Sequence, residues 1–373
     1  MRFNPLLNPL FKTGRRASTK WLNMKYFELR RKKLLAKFNS MNQIATIQAE
    51  IFQKIKSKLP PNLSLVFEIT DVLGVSQDSA YRRIRGEKPL TVEELFKLRD
   101  HFEISLDQFG GEDSGIVNFK CSAIGANTFK VSNWLEKVYN DLRQIDSLKN
   151  REIIYAAKDP PLFHYFQLPE IAAFKVFFWE KTLFQFPEYE EKMFCLDEMS
   201  NETLQKGRKT LALAAKLPTI EIWNEQTFKI LLSQIEFYWV SGFFSNNDDF
   251  FNILDKAEKW IHHIQKEAEY GFKYLYGTQP EGIENNFQLY VNEVVLNDNT
   301  ILVRTNLGYS AYLTFNVLSL LHTTNQAFCL ELDRYFKGIL RKSNKISVSG
   351  AKERNRFFNE QLHALQKLKR QTV

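Results

Sequence analysis

The sequence predicts a mainly α protein with two domains: a bundle of four to five short helices, then a large, mostly helical domain with a small β-hairpin or sheet. Three observations predict it. Apolar residues recur at helical spacing along most of the chain, capping and breaking signals punctuate the region after Met41, and β-rich runs are few and short. A length of 373 residues suits two or three cores of about 100–200 residues each.

Residues 1–40 hold 11 Lys/Arg against the single acid Glu28, a net charge of +10, and include Pro5 and Pro9. They read as a basic, disordered or non-native extension, with a helix around WLNMKYFELRRKKLLAKF as the alternative. A first domain is expected over 41–112. Ile44, Ile47, Ile51 and Ile55 make one apolar stripe on a helix that Pro60 and Pro61 end. Ser64 opens a second helix, Leu65 to Leu73, and Gly74 stands where the chain must turn left-handed. Ser76 caps a third, with Asp78 in its first turn. Thr91 and Glu94 form a capping box for a fourth, flanked by Leu90 and Leu95 at the staple positions.

The remainder, 113–373, is expected to be mostly helical and to serve dimerisation or sensing. Val131, Leu135, Val138, Leu142 and Ile145 step by 4, 3, 4 and 3 along a helix over 127–148, but for only about two heptads, so a core helix is preferred to a dimer seam. REIIYAAKD reads as a strand, and further helices are expected over 169–186, 199–215, 219–243, 247–276, 313–340 and 350–370. FQLYVNEVVLNDNTILVRT reads as a hairpin turning at Asn297-Asp298-Asn299. Phe174, Phe177, Phe178, Trp179 and Phe184 cover most of one helix, which is therefore expected to be buried on several sides.

The net charge of +8 is unevenly placed: 334–373 carries +9, which leaves −11 on 41–333 between the two basic ends. Overall charge is therefore no argument for nucleic acid; a local patch is needed. Cys121, Cys195 and Cys329 are far apart and odd in number, which fits a reducing cytoplasm. The longest apolar run, IAAFKVFFW, is broken by Lys175 and too short to span a bilayer. No GxxxxGK, GxSxG, HExxH or GxGxxG occurs, so no enzyme, cofactor or metal is expected. His262 and His263 point about 100° apart on a helix, and the one metal-like spacing, His263 with Glu267, supplies only two ligands.

The stretch EITDVLGVSQDSAYRRIRGEKPLTVEELFKLRDHFEISLDQF resembles the Cro/phage-repressor type of helix-turn-helix domain over 44–109: Gly74 in the turn, Val75-Ser76 after it, Gly86 twelve residues later, and ISLD after the fourth helix. The resemblance implies a λ-repressor-like fold and a transcriptional regulator that binds double-stranded DNA, as a homodimer on a two-fold site. The third helix would lie in the major groove, with Ser76, Gln77, Asp78, Tyr81 and Arg82 facing bases, Arg85 and Lys88 facing phosphates, and Arg83 among the DNA-binding residues without a contact of its own assigned. Arg83 departs from the pattern, because it stands where the family buries an aliphatic side chain. A protein-interaction module that reuses the fold is the alternative; an enzyme with an unfamiliar helical site ranks below both.

Overall fold

Short helices make up the first part of the molecule because stops and caps follow one another closely. The computed structural model describes residues 45–371 except 61–62, 105, 107–115, 122–128, 294–298 and 317. The basic segment 1–40, Ile44 and most of ISLDQFGG lie outside the described residues. The chain divides into two units, 1–114 and 115–373.

In the first unit, α1 spans 45–58. Then come α2 (Leu65–Leu73), α3 (Gln77–Ile84) and α4 (Val92–Phe102). Gly74 ends α2 at φ 63°, and nothing stands within 4 Å of where its Cβ would be. Glycine is therefore required there by the backbone, not by space. The Ser76 hydroxyl accepts the Ser79 N–H, and Thr91 with Glu94 closes a full capping box. Ser64 holds the cap position of α2, but its side chain makes no cap bond. Ile51, Phe52 and Ile55 of α1, Ile69 and Leu73 of α2, Ala80 of α3, and Leu98 and Phe102 of α4 form one buried core, so no helix is stable without the others.

The second unit overturns the mainly α, all-α expectation. It is built on an eight-stranded mixed sheet in the order β1-β7-β6-β5-β2-β3-β4-β8. The strands are β1 (Lys120–Cys121), β2 (Glu152–Ala156), β3 (Thr219–Trp223), β4 (Phe287–Val291), β5 (Thr300–Thr305), β6 (Gly308–Asn316), β7 (Ser319–Thr323) and β8 (Asn344–Lys345). The helices are α5 (Val131–Asp146), α6 (Leu162–Tyr165), α7 (Pro169–Phe178, prolonged by a π-helical turn Trp179–Leu183), α8 (Asn201–Ala214), α9 (Gln226–Val240), α10 (Asn247–Tyr270), α11 (Gln326–Leu340) and α12 (Ala351–Gln371).

The errors have physical causes. β3 reads Thr-Ile-Glu-Ile-Trp, but this alternation lasts only five residues, all of them buried, and it runs almost directly into the apolar positions of α9, so the two read as one apparent helix. Likewise β7 and the last four residues of β6 lie within the stretch 313–340 that reads as one helix with α11. The expected hairpin does not form: β4 pairs in parallel with β3, whereas β5 pairs antiparallel with β2, so β2 and β3 lie between them. Both runs are strands, but adjacency along the chain says nothing about which strand each one meets.

The sheet lies between two helical layers. On one face Ile154, Ile220, Ile222, Leu302 and Ala311 pack against Cys329 and Phe336 of α11. On the other, Trp223, Phe287 and Leu289 meet the aromatic mass of α7, α9, α10 and α12, and Ile153 and Val303 meet Leu142 of α5. The α5 stripe is spent here: Val131, Leu135 and Leu142 are buried and Val138 and Ile145 pack beside them, which leaves no dimer seam. Every residue of α7 from Ile171 to Phe178 is buried, as the all-round aromatic pattern implied. No described helix is long and apolar enough to cross a membrane.

Candidate nucleic-acid interface

The third helix of the first unit has an inner and an outer side. Inside, Ala80 is fully buried and Ile84 packs against the core. Outside, Ser76, Gln77, Asp78, Tyr81, Arg82, Arg85 and Lys88 are exposed. Positions 77, 78, 81, 82 and 85 repeat at helical spacing, so α3 presents one continuous polar side. Gly86, at φ 75°, then reverses the chain, and the N–H groups of Glu87 and Lys88 both donate to the Arg82 carbonyl, at 2.8 and 3.1 Å.

Arg83 does not belong to that side. It is only 3% exposed, and its guanidinium is bidentate to Glu94, with Nη2 to Oε1 at 2.5 Å and Nε to Oε2 at 3.0 Å. Its Nη1 also donates to the Ser79 carbonyl at 3.0 Å and to the Ser79 hydroxyl. An arginine thus fills the position where an aliphatic side chain is expected, and Glu94 makes this tolerable by neutralising it. The same Glu94 Oε2 accepts the Thr91 N–H at 3.0 Å, so one carboxylate caps α4 and ties α4 to α3. The hydrogen bonds from Arg83, ahead of the opposing cost of partial burial, hold the Glu94 carboxyl below its ordinary range.

Two residues that the sequence did not single out complete the arrangement. Gln48 of α1 is buried and reaches across to the loop after α3: its Nε2 donates to the carbonyls of Arg83 at 2.6 Å and Lys88 at 2.9 Å, and its Oε1 accepts the Leu90 N–H at 2.9 Å. That loop is therefore fixed from behind. Glu87 lies 3.1 Å from Arg85 and 3.9 Å from Arg82, all three about half exposed. The outer side therefore carries three bases and two acids, within a segment, 41–110, that holds nine Lys/Arg and ten acids. No spacing rule flags Gln48, whose role depends on a fold-level approach of α1 to a loop 40 residues away.

In the second unit, His263 donates to the Tyr274 carbonyl at 3.0 Å and lies 3.4 Å from Glu267. This is an internal hydrogen-bonding role, and no group of three candidate metal ligands occurs among the described residues. His263 instead borders a buried ionic centre. His164 places Nε2 3.0 Å from Glu221 and Nδ1 3.5 Å from Glu267. Lys273 Nζ donates to Glu221 at 3.3 Å, Trp223 donates to it at 3.0 Å, and Gln167 donates to Glu267 at 2.9 Å. Burial alone would lower the His164 pKa, but the two carboxylates raise it to about 9. Burial would raise Glu267, yet His164 and His263 bring it to about 2. This centre joins α6, β3, α10 and the chain after α10; its groups are enclosed, which marks it as a structural tie. Asp248 and Asp249 sit in the first turn of α10, where the Asn246 side chain accepts the Asp249 N–H and the acids complement the helix amino end.

Comparison with known proteins found no matching family model, no matching curated protein and no matching solved structure.

Proposed function

We propose that the protein is a sequence-specific DNA-binding transcriptional regulator that acts in the cytoplasm by occupying an operator, as a homodimer. The observation that carries this reading is the division of α3: its inner side is locked by Ala80 and by the Arg83–Glu94 pair, while Gln77, Asp78, Tyr81, Arg82 and Arg85 share an open side. A short helix held rigidly from behind, with Gln and Arg outward, is what reading base edges requires. Gln pairs bidentately with adenine and Arg with guanine. Ser76, at the amino end of the helix, would join the base-facing side, and Lys88, in the loop fixed by Gln48, would meet a phosphate. Three well-separated cysteines, none in a disulfide, support the cytoplasmic setting.

The near-neutral segment 41–110 limits the number of phosphates that the helices of one copy neutralise, and each contributes about −0.9 to the salt slope, so operator affinity rests on two copies on one site. The test is selection of bound duplexes from a random pool by the full chain. A palindromic consensus with half-sites about one helical turn apart is expected. Recovery of no preferred sequence, with no salt-sensitive binding to any duplex, would overturn the proposal in favour of a protein-interaction module.

A further inference from the structure

The second unit contains a cleft that neither its core nor the α3 surface accounts for. It lies between α5 and the sheet face it covers, with an empty volume of about 910 Å³, part of which opens to solvent. Strand register explains its floor: Tyr155, Ile301 and Tyr312 pair across β2, β5 and β6 and form one row on the face toward α5. Trp134 of α5, Phe163 of α6 and Trp179 supply aromatic walls. Trp134 is held in place by donating its indole N–H to the Leu318 carbonyl at 3.0 Å.

The charged groups lining this cleft are two carboxylates, Asp141 on α5 and Asp159 just beyond the carboxyl end of β2; no Lys, Arg or His lines it among the described residues. The two are not equivalent. Asp159 is satisfied: it accepts from Asn299 at 2.7 Å and from Tyr165 at 3.4 Å, with Lys175 Nζ at 3.5 Å. Asp141 makes no hydrogen bond or ion pair with any described residue, and the one cation acting on it, Lys137, lies a helical turn away. Its burial among apolar walls pushes its carboxyl upward, outweighing the attraction of Lys137. Trp179, beneath the cleft, has an indole N–H with no acceptor.

We propose that this cleft binds an amphipathic organic cation, an ammonium carried on an aromatic or apolar body. The ammonium would supply Asp141 with the partner it lacks and lie near the faces of Tyr155, Tyr312 and Trp134, while the body fills the apolar trough. An anion would meet two carboxylates in surroundings that screen poorly, and a neutral molecule would leave Asp141 as it is. The proposal does not depend on DNA binding, and its test reads ligand affinity alone.

The test is calorimetric titration of the full chain with three probes that share one body and differ in head: phenethylamine, 2-phenylethanol and 3-phenylpropanoate. The amine is expected to bind about ten-fold or more tighter than the alcohol, as one partly desolvated ion pair provides, with the carboxylate weakest. Asp141→Asn should reduce the amine to the alcohol's affinity and leave the alcohol unchanged; because Asp141 is partly exposed, this variant is expected to fold, with a thermal melt as the check. Val138→Trp, which fills the trough from α5, should abolish binding of all three. Equal affinity for amine and alcohol, preference for the carboxylate, no binding by any probe, or an amine preference that survives Asp141→Asn would each overturn the proposal.

Discussion

In the first unit, Arg82 and Arg85 are about half exposed and share the exposed Glu87, whereas in the second Glu221, His164, Lys273 and Glu267 are almost wholly removed from water. Arg83 stands between these cases: it is adjacent to Arg82 in sequence, yet is as buried as the ionic centre of the larger unit. The contrast separates two uses of charge. Exposed groups, whose local pairs contribute little, stay available to a partner. Enclosed groups must be matched within the fold, and removing one strands the others.

The largest test of this contrast is Glu221→Gln, which leaves His164 and Lys273 buried without their shared carboxylate. A loss of about 3–5 kcal/mol is expected, measured by denaturant unfolding followed by tryptophan fluorescence. The signal reports mainly the second unit, because five of the six tryptophans, Trp134, Trp179, Trp223, Trp239 and Trp260, lie there and only Trp21 does not. A loss below about 1 kcal/mol would mean that the centre is no tie.

The same centre predicts a pH dependence. His164 has its folded pKa raised from 6.5 to about 9, so its contribution is complete below pH 6.5 and is lost as pH rises through 9. Glu267 is lowered from 4.5 to about 2, so its contribution is complete above pH 4.5 and is lost as pH falls toward 2. The unfolding midpoint of the second unit should therefore be lower at pH 9.5 than at pH 6. Equal midpoints would show His164 to be neutral in the fold.

Next in size is Arg83→Met, which leaves Glu94 unpaired where it is only 15% exposed. About 2–3 kcal/mol should be lost from the first unit, read by amide hydrogen exchange over α1 to α4, with the preferred DNA sequence unchanged. Arg82→Ala should do the reverse, leaving stability within about 0.5 kcal/mol while costing about 1–3 kcal/mol of discrimination at one base pair. If Arg82→Ala weakened every sequence alike, its base-reading role would fail. The smallest effects belong to the rim. Lys88→Ala should weaken all duplexes alike and reduce the salt slope by about 0.9, and Glu87→Gln should tighten them all by less than about 1 kcal/mol.

Much of the first unit was legible in the sequence because its signals are local. Gly74, the Ser76 cap and the Thr91–Glu94 box each act within a few residues and stand where they were read. The outer side of α3 followed from helical period alone, except at Arg83. Its position, three residues after Ala80, is an inward one, but no local rule shows that an arginine there finds Glu94 eleven residues on. In the second unit the strand character of β2, β4 and β5 was legible, but β3 is only five residues long and ends two residues before α9, whose helical period extends over it. The hairpin failed because pairing is a long-range choice: Thr219 meets Phe287 and Ile153 meets Val303, partners 68 and 150 positions apart.

By itself, the sequence determined the short capped helices, the spacing of the polar positions on α3 and the burial of the aromatic α7, since caps and periodicity are properties of neighbouring residues. Tertiary structure decided the eight-stranded sheet, the inward turn of Arg83, the buried His164 centre and the cleft facing Asp141. Each depends on groups brought together from distant parts of the chain, where the loss of water sets what a charge is worth.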